Sequence, residues 1–348
     1  MFCSQLFTLE KSFPSTQLEK IDEYLSSLSS TALSLITAYK ISIATGIDYG
    51  ECIRFLKECV DLGLMHKRYD LCCPTCGGFL RISDKIDDLI DSDGLYCHRC
   101  DETVQIDETD FASNVEVLFA FEGSTCPFDN GQQLSDISPI NDGSAVARTC
   151  NLNHALKVRI IEYSDLFAPT EEEYGVLSTL LKDVKTRQNT TTATGTTLES
   201  FCFYLFGLCK IFKATLEFRN ETNQIDTFVR ITSYLPDGLF GIKSNYFAIE
   251  CKNEQCPPKG TYLSKLHSIL HIIDSNLGII VSRKTAPSTF KVLAHDIFLR
   301  DGMCFIWFDI DELEKIVSSR VNLLELMDEK VSSLRTDSRK HLSEYGVY

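Results

Sequence analysis

The sequence predicts a multidomain α/β protein, with a small helical unit first, a cysteine-rich ribbon in the middle and an α/β domain last. Three observations lead there. A chain of 348 residues is too long for one ordinary hydrophobic core, and its 44% apolar content lets each part bury a core of its own. Two CxxC pairs stand about twenty residues apart in the first third of the chain. From about residue 197 onward, short apolar runs with strand character alternate with longer segments of helical periodicity.

Residues 1–70 read as short helices ending in a hairpin. The segment Ser30 to Lys40 carries Leu33, Leu35, Ile36 and Tyr39, and Gly46 separates it from ECIRFLKECVDLGLM. In that second segment Ile53, Leu56, Cys59 and Val60 fall at helical spacing, with Gly63 placed as a C-terminal stop. A short strand pair is expected over Leu64 to Leu71. Helix, glycine turn, amphipathic helix and strand pair is the order of a winged helix-turn-helix, so the unit reads as winged-helix-like. His66, Lys67 and Arg68 would make a basic wing, yet the helix from Tyr49 to Leu62 sets Arg54 and Lys57 among Glu51, Glu58 and Asp61. Contact with DNA and a packing or protein-binding role both stay open for this unit.

Residues 71–110 carry LCCPTCGG and LYCHRC. Cys73, Cys76, Cys97 and Cys100 have the spacing of a four-cysteine zinc ribbon, in which each CxxC knuckle aims two thiolates at one ion. Gly77 and Gly78 permit the turn and Pro74 stiffens it. A closed four-cysteine site leaves no open position, so this Zn²⁺ is expected to hold a fold together and not to catalyse. Cys72 is adjacent but off the pattern.

Residues 111–186 are a mixed region. Cys126-Pro-Phe-Asp129 resembles the first knuckle, and Cys150 follows Cys126 at the separation at which Cys97 follows Cys73. Three readings stay open: a second metal site using Cys126, Asp129, Cys150 and His154, a metal-free degenerate ribbon, or coincidence. A helix is expected from Thr170, an N-cap followed by Glu171, Glu172 and Glu173 in the first turn. The Thr-rich residues 187–196 lack apolar periodicity and read as a linker.

Charge and cysteine usage bound the setting. The net charge is −15, but residues 187–348 hold 19 basic and 19 acidic side chains, so the whole excess lies in front of them. The remaining cysteines, such as Cys52, Cys59, Cys202 and Cys209, read as small core residues of a reduced, cytoplasmic protein. No apolar run reaches the roughly 18 residues of a membrane span, and the N-terminus does not look like a secretory signal.

Chemistry gathers in residues 197–348. The strand IDTFVRIT begins near Asp226, and NYFAIECK follows after a turn. With a strand period of two, Phe247, Ile249 and Cys251 face one side while Glu250 and Lys252 share the other. Two carboxylates and one ammonium on neighbouring strands suit a hard divalent ion such as Mg²⁺, with Mn²⁺ as a substitute, acting on a phosphate ester. The lysine would orient water or neutralise charge on phosphorus. His267 and His271 sit one turn apart on an amphipathic helix with Leu263, Leu266 and Leu270, and read as boundary residues.

The runs GTTLESFCFYLFG, LEFRNETNQIDTFVRIT and FAIECKN together resemble the core of the restriction-endonuclease-like PD-(D/E)xK superfamily, in particular its Mrr-like members. The resemblance covers about Gly195 to Leu313. It implies that Glu199 is a helix-borne carboxylate of the active site, Asp226 the metal-bridging aspartate, and Glu250 with Lys252 the ExK pair. Gln255 and Lys259, just beyond, are expected to contact the substrate backbone. Gln224 stands where an acidic residue is common, and Ile225, not proline, precedes Asp226. The resemblance further implies a metal-dependent endonuclease, with DNA the expected substrate, serving as an effector of bacterial defence. An acidic nuclease needs help to reach DNA, so a protein partner or activating complex is expected, and a homo-oligomer is compatible. Two alternatives remain: a catalytically silent binding or scaffold protein, and an RNA- or structure-selective nuclease.

Overall fold

In this computed structural model, the structure describes residues 4–89, 94–106, 111–121, 150–158, 160–186, 191–219, 224–232, 239–242 and 244–344. The chain is mixed α/β and divides into two compact units, Met1–Ile161 and Glu162–Tyr348.

The first unit opens with a 3₁₀ helix (Ser4–Lys11), α1 (Ser15–Ser26), α2 (Ser30–Leu33), α3 (Ala38–Thr45) and α4 (Tyr49–Asp61). Each cap of the α3–α4 pair follows from its residue type. The Thr37 side chain accepts from the Lys40 N–H, Gly46 ends α3 at φ +70°, and Asp48 accepts from the N–H groups of Gly50 and Glu51. Helix α4 buries Cys52, Ile53, Phe55, Leu56 and Cys59, which is the apolar stripe its spacing predicts.

The expected hairpin over Leu64–Leu71 is not formed. Met65–Cys72 is instead one strand, β1, and His66, Lys67 and Arg68 lie along it, opposite Ala120, Phe119 and Leu118 of β5 (Val115–Phe121). These three basic residues are the ones expected to make the wing of a hairpin. In the strand the buried Arg68 lies 2.8 Å from the Asp84 carboxylate, and His66 lies 3.5 Å from the same group. β1 also pairs with β2 (Phe79–Ser83), so the sheet order is β2-β1-β5. Ile36, just before α3, joins the far side of β5 through both of its backbone hydrogen bonds to Phe119, each 2.9 Å. The four-cysteine segment is therefore an insertion between two paired strands. It continues through a 3₁₀ turn (Ile86–Leu89), the hairpin of β3 (Leu95–Cys97) and β4 (Glu102–Val104), and α5 (Phe111–Asn114). The unit closes with α6 (Leu152–Lys157).

The second unit begins with α7 (Tyr163–Leu166) and α8 (Glu171–Lys185), the latter with the expected Thr170–Glu173 capping box. Next come α9 (Thr191–Gly207), β6 (Phe212–Arg219), β7 (Gln224–Ile231), β8 (Tyr246–Lys252), α10 (Gly260–Ile272) and β9 (Leu277–Ser282). The unit ends with α11 (Ser288–Asp301), β10 (Cys304–Phe308), α12 (Ile310–Ser318) and α13 (Leu323–Glu344). Helix α9 starts inside the run expected to be a linker, so residues 191–196 are helical. Threonine is a weak helix former, but here the run continues directly into the buried stretch Leu198, Phe201, Cys202, Leu205 and Phe206.

The sheet order is β10-β9-β8-β7-β6, with β10, β9 and β8 parallel and β8, β7 and β6 antiparallel. The two faces of β8 are covered differently, as its alternation predicts. Phe247 meets Phe206 of α9 and Phe212, while Ala248 joins the core beneath α10 and α11 with Leu263, Leu266, Leu270, Phe290 and Phe305. Gly278 in β9 sets how close α10 comes. A Cβ there would stand 2.9 Å from Leu266 and from Phe305, so the helix rests almost directly on the backbone.

Candidate metal and nuclease site

The sheet brings three of the sequence-predicted residues together where β8 ends. Asp226 lies near the start of β7, and its Oδ2 accepts the Cys251 N–H at 2.8 Å. Glu250 is 1% exposed and Asp226 8%, so two carboxylates are buried side by side. Burial, and then the neighbouring Glu250, push the Asp226 carboxyl above its ordinary range against the pull of the Cys251 N–H and of Lys252 and Lys265. Lys252 Nζ is 2.7 Å from Glu250 Oε1 and donates to the Cys251 carbonyl at 3.2 Å. Burial works to discharge this lysine, but the Glu250 carboxylate outweighs it and holds its pKa above the usual lysine value.

The remaining predicted residues fall outside this cluster. Glu199 is half-buried on α9, on the other side of β8, where its charge acts on the Cys251 thiol. It does not combine with Asp226 and Glu250 into a three-carboxylate group. Among the described residues, the one group of three or more metal-binding side chains whose ligand atoms all lie within 4.8 Å is the four-cysteine cluster. Gln255 and Lys259 are exposed in the β8–α10 loop, and the charge of Lys259 is felt by Glu254. His267 is held by Asp301 at 2.8 Å with the His271 ring against it, a boundary pair as expected.

Four residues of the neighbourhood escaped the sequence reading. Lys265 of α10 donates to both Glu250 oxygens, at 2.8 and 3.0 Å. The Tyr262 ring lies 5.2 Å from Lys252 Nζ, and its hydroxyl donates to Glu254 at 2.7 Å. That bond, first of all, lowers the Glu254 pKa, while burial and then Glu254 push the Tyr262 phenol up to about 12. Arg283 binds Asn253 at 3.3 Å and the carbonyls of Val184 and Lys185 at 2.9 Å each. A signal for two of them existed. Tyr262 and Lys265 are three apart on α10 and flank the apolar stripe Leu263–Leu266, so they border whatever that stripe covers.

In the first unit the four cysteines converge as their spacing predicts. The sulfurs of Cys73 and Cys100 are 3.8 Å apart and those of Cys76 and Cys97 3.6 Å. A tetrahedron with Zn–S bonds of about 2.3 Å has sulfur–sulfur edges of about 3.8 Å, so the group could hold a zinc ion without rearrangement. Gly77 at φ +71° and the Gly77 N–H to Cys73 carbonyl bond of 2.8 Å close the first knuckle. Burial raises the Cys73 thiol, but the N–H groups of Cys76 and Thr75 outweigh it and bring it down to about 7. For the second proposed set, Cys126 and Asp129 lie outside the described residues. Cys150 is buried with its thiol pushed up to about 12, by burial foremost, and it hydrogen-bonds Tyr49. No metal-binding group forms around Cys150 and His154 among the described residues.

Comparison with known proteins is sparse. Residues 3–124 match a family model described as a family of unknown function, DUF5939, which spans most of the first unit and none of the second. No curated protein matches. Among solved structures, the chain is similar to the DNA modification-dependent restriction endonuclease AspBHI at 12% identity, over 82% of this chain and 74% of that one. The TM-score is 0.27, too low to establish a shared fold. No helix among the described residues is long and apolar enough to cross a membrane.

Two outcomes follow. Purified protein is expected to retain one zinc per chain by elemental analysis, and Cys97→Ser to lose it together with thermal stability of the first unit. A zinc-free wild type that melts like Cys97→Ser would contradict this. Asp226 has a raised folded pKa, so its contribution favours the metal-free fold below the ordinary carboxylate range and is lost as pH rises through the raised value. Metal-free Asp226→Asn should therefore melt above wild type at neutral pH, and the gap should close on acidification. A gap of opposite sign, or one independent of pH, would show that the carboxylate is not strained by its burial.

Proposed function

We propose that the second unit is a metal-dependent nuclease domain of the restriction-endonuclease-like PD-(D/E)xK type, hydrolysing phosphodiester bonds, with DNA as substrate. The observation that carries this is the burial of Asp226 and Glu250 beside each other at the end of β8, with the Lys252 ammonium on Glu250. Like charges so placed call for a cation, and an all-oxygen donor pair suits a hard ion, Mg²⁺ in the first place and Mn²⁺ as a substitute. Asp226 and Glu250 would hold it. When bound, the ion supplies polarisation of the phosphate and acidification of a water.

The chain's own residues do the rest. The Cys251 N–H fixes one Asp226 oxygen and leaves the other for the ion. Lys252, pinned by the Cys251 carbonyl and the Tyr262 ring, keeps its proton and presents a positive charge where negative charge grows on the phosphate. Gln255 and Lys259 stand exposed in the next loop, within reach of a polyanion tracking past the site, and Glu199 is a further acidic group across β8. In the first unit, helix pair and sheet with a ribbon inserted between β1 and β5 support a winged-helix-like module that docks nucleic acid or a protein partner. Such a partner or activating complex would offset the acidic front half, and a homo-oligomer is compatible with the site. A role as a defence effector in the cytoplasm fits this arrangement.

One observation favours a second reading. Glu250 is neutralised by two lysines without any metal, as a purely structural ion-pair cluster in a silent binding protein would be. Cleavage assays separate the two. Plasmid and linear DNA, beside single-stranded, branched and RNA substrates, should be cut in a Mg²⁺-dependent manner. Lys252→Ala should lower the rate by about 10²–10³-fold while leaving the fold intact. Nucleic-acid binding with no cleavage under any divalent ion would favour the silent protein.

A further inference from the structure

The second ammonium on Glu250 has a geometry that the proposed reaction does not use. Lys265 Nζ spans both carboxylate oxygens, at 2.8 and 3.0 Å, as a chelated cation would, while Lys252 Nζ stands 2.7 Å from Oε1. The two lysines are also held differently. Lys252 is 21% exposed and anchored by the Cys251 carbonyl and the Tyr262 ring, while Lys265 is 41% exposed and reaches Glu250 from the solvent side of α10.

Charge balance then decides what happens when a metal arrives. The two carboxylates are buried, and two ammoniums already bring the sum of charges to zero. A divalent ion shared by Asp226 and Glu250 would compete for the Glu250 oxygens and leave two uncompensated positive charges. Low local dielectric makes that unfavourable unless one ammonium withdraws or an anion enters. Lys265 is the ammonium free to withdraw, since its long flexible stem can carry the charge back into solvent.

We infer that Lys265 is a resident counter-ion that stands in for the metal on Glu250, is displaced when a divalent ion binds, and then presents its ammonium to a phosphate of the nucleic-acid substrate. The inference rests on the nuclease reading above. It makes metal and polyanion binding mutually reinforcing, because each removes an obstacle to the other. Without nucleic acid the metal must evict a cation; with it, the evicted cation has a partner.

The test uses the full-length, zinc-loaded chain. Mn²⁺ is titrated calorimetrically into wild type, Lys265→Met and Glu250→Gln. Lys265→Met is expected to bind Mn²⁺ about tenfold or more tightly than wild type, since the competing charge is gone. Glu250→Gln should lose the site. A fluorescent DNA duplex then reports the second half: Lys265→Met should bind it more weakly than wild type in Ca²⁺, and equally well with no added divalent ion. Equal Mn²⁺ affinity in wild type and Lys265→Met, or a DNA deficit that is the same with and without Ca²⁺, would overturn the counter-ion role while leaving the nuclease reading in place. Mn²⁺ binding that is indifferent to Glu250→Gln would remove the metal site itself, and both readings with it.

Discussion

A carboxylate buried in the middle of a sheet is the constraint around which the second unit is arranged. Glu250 is almost wholly buried in β8, a strand with a neighbour on each edge and a helix over each face. An unpaired charge in such a place would cost several kcal/mol or would not stay ionised. Its two ammonium partners come from different elements, one on the same strand and one on the helix laid over it. The crossover helix α10 is thus tied to β8 by a polar contact as well as by Leu263, Leu266 and Leu270. Gly278 and the small Ala248 let it lie low enough for Lys265 to reach. Packing and electrostatics at this point are one problem with one solution.

Much of this was legible in the sequence. The alternation in NYFAIECK assigned the two faces of β8 correctly, because strand period is a local property that tertiary contacts seldom change. Cys73, Cys76, Cys97 and Cys100 converged because each knuckle is closed by its own backbone bond, from the Gly77 N–H to the Cys73 carbonyl and from the Asp101 N–H to the Cys97 carbonyl. The stripe on α10 marked Lys265 as bordering the sheet, but not that it meets Glu250, since the rotation of α10 about its axis relative to β8 is set by packing. The Thr-rich start of α9 misled because propensity is a weak prior beside a run of buried apolar residues. β1 misled for the opposite reason: HKR looks solvated until Asp84, some sixteen residues on, supplies its counter-charge.

The first unit shows how a metal site can be added without disturbing a fold. Ile36, β5, β1 and β2 are joined edge to edge, and between β1 and β5 the chain makes the first cysteine knuckle, rejoins the sheet edge as β2, and then makes the second knuckle before returning at Val115. The excursion holds all four convergent cysteines, so a zinc ion would close a long loop on itself and leave the helices and the sheet to their own core. The extent of the family match, residues 3–124, follows this unit with its insertion and not the catalytic candidate. The two units therefore carry separable chemistry, a four-cysteine group in front and a carboxylate–lysine site behind.

Anomalous diffraction from crystals of the full chain grown with Mn²⁺ tests the central claim most directly. The account predicts a peak bridged by the carboxylates of Asp226 and Glu250, distinct from the zinc signal at the four cysteines. Density showing both lysines still on Glu250 and no peak beside Asp226 would contradict it, and would make the cluster a structural ion pair.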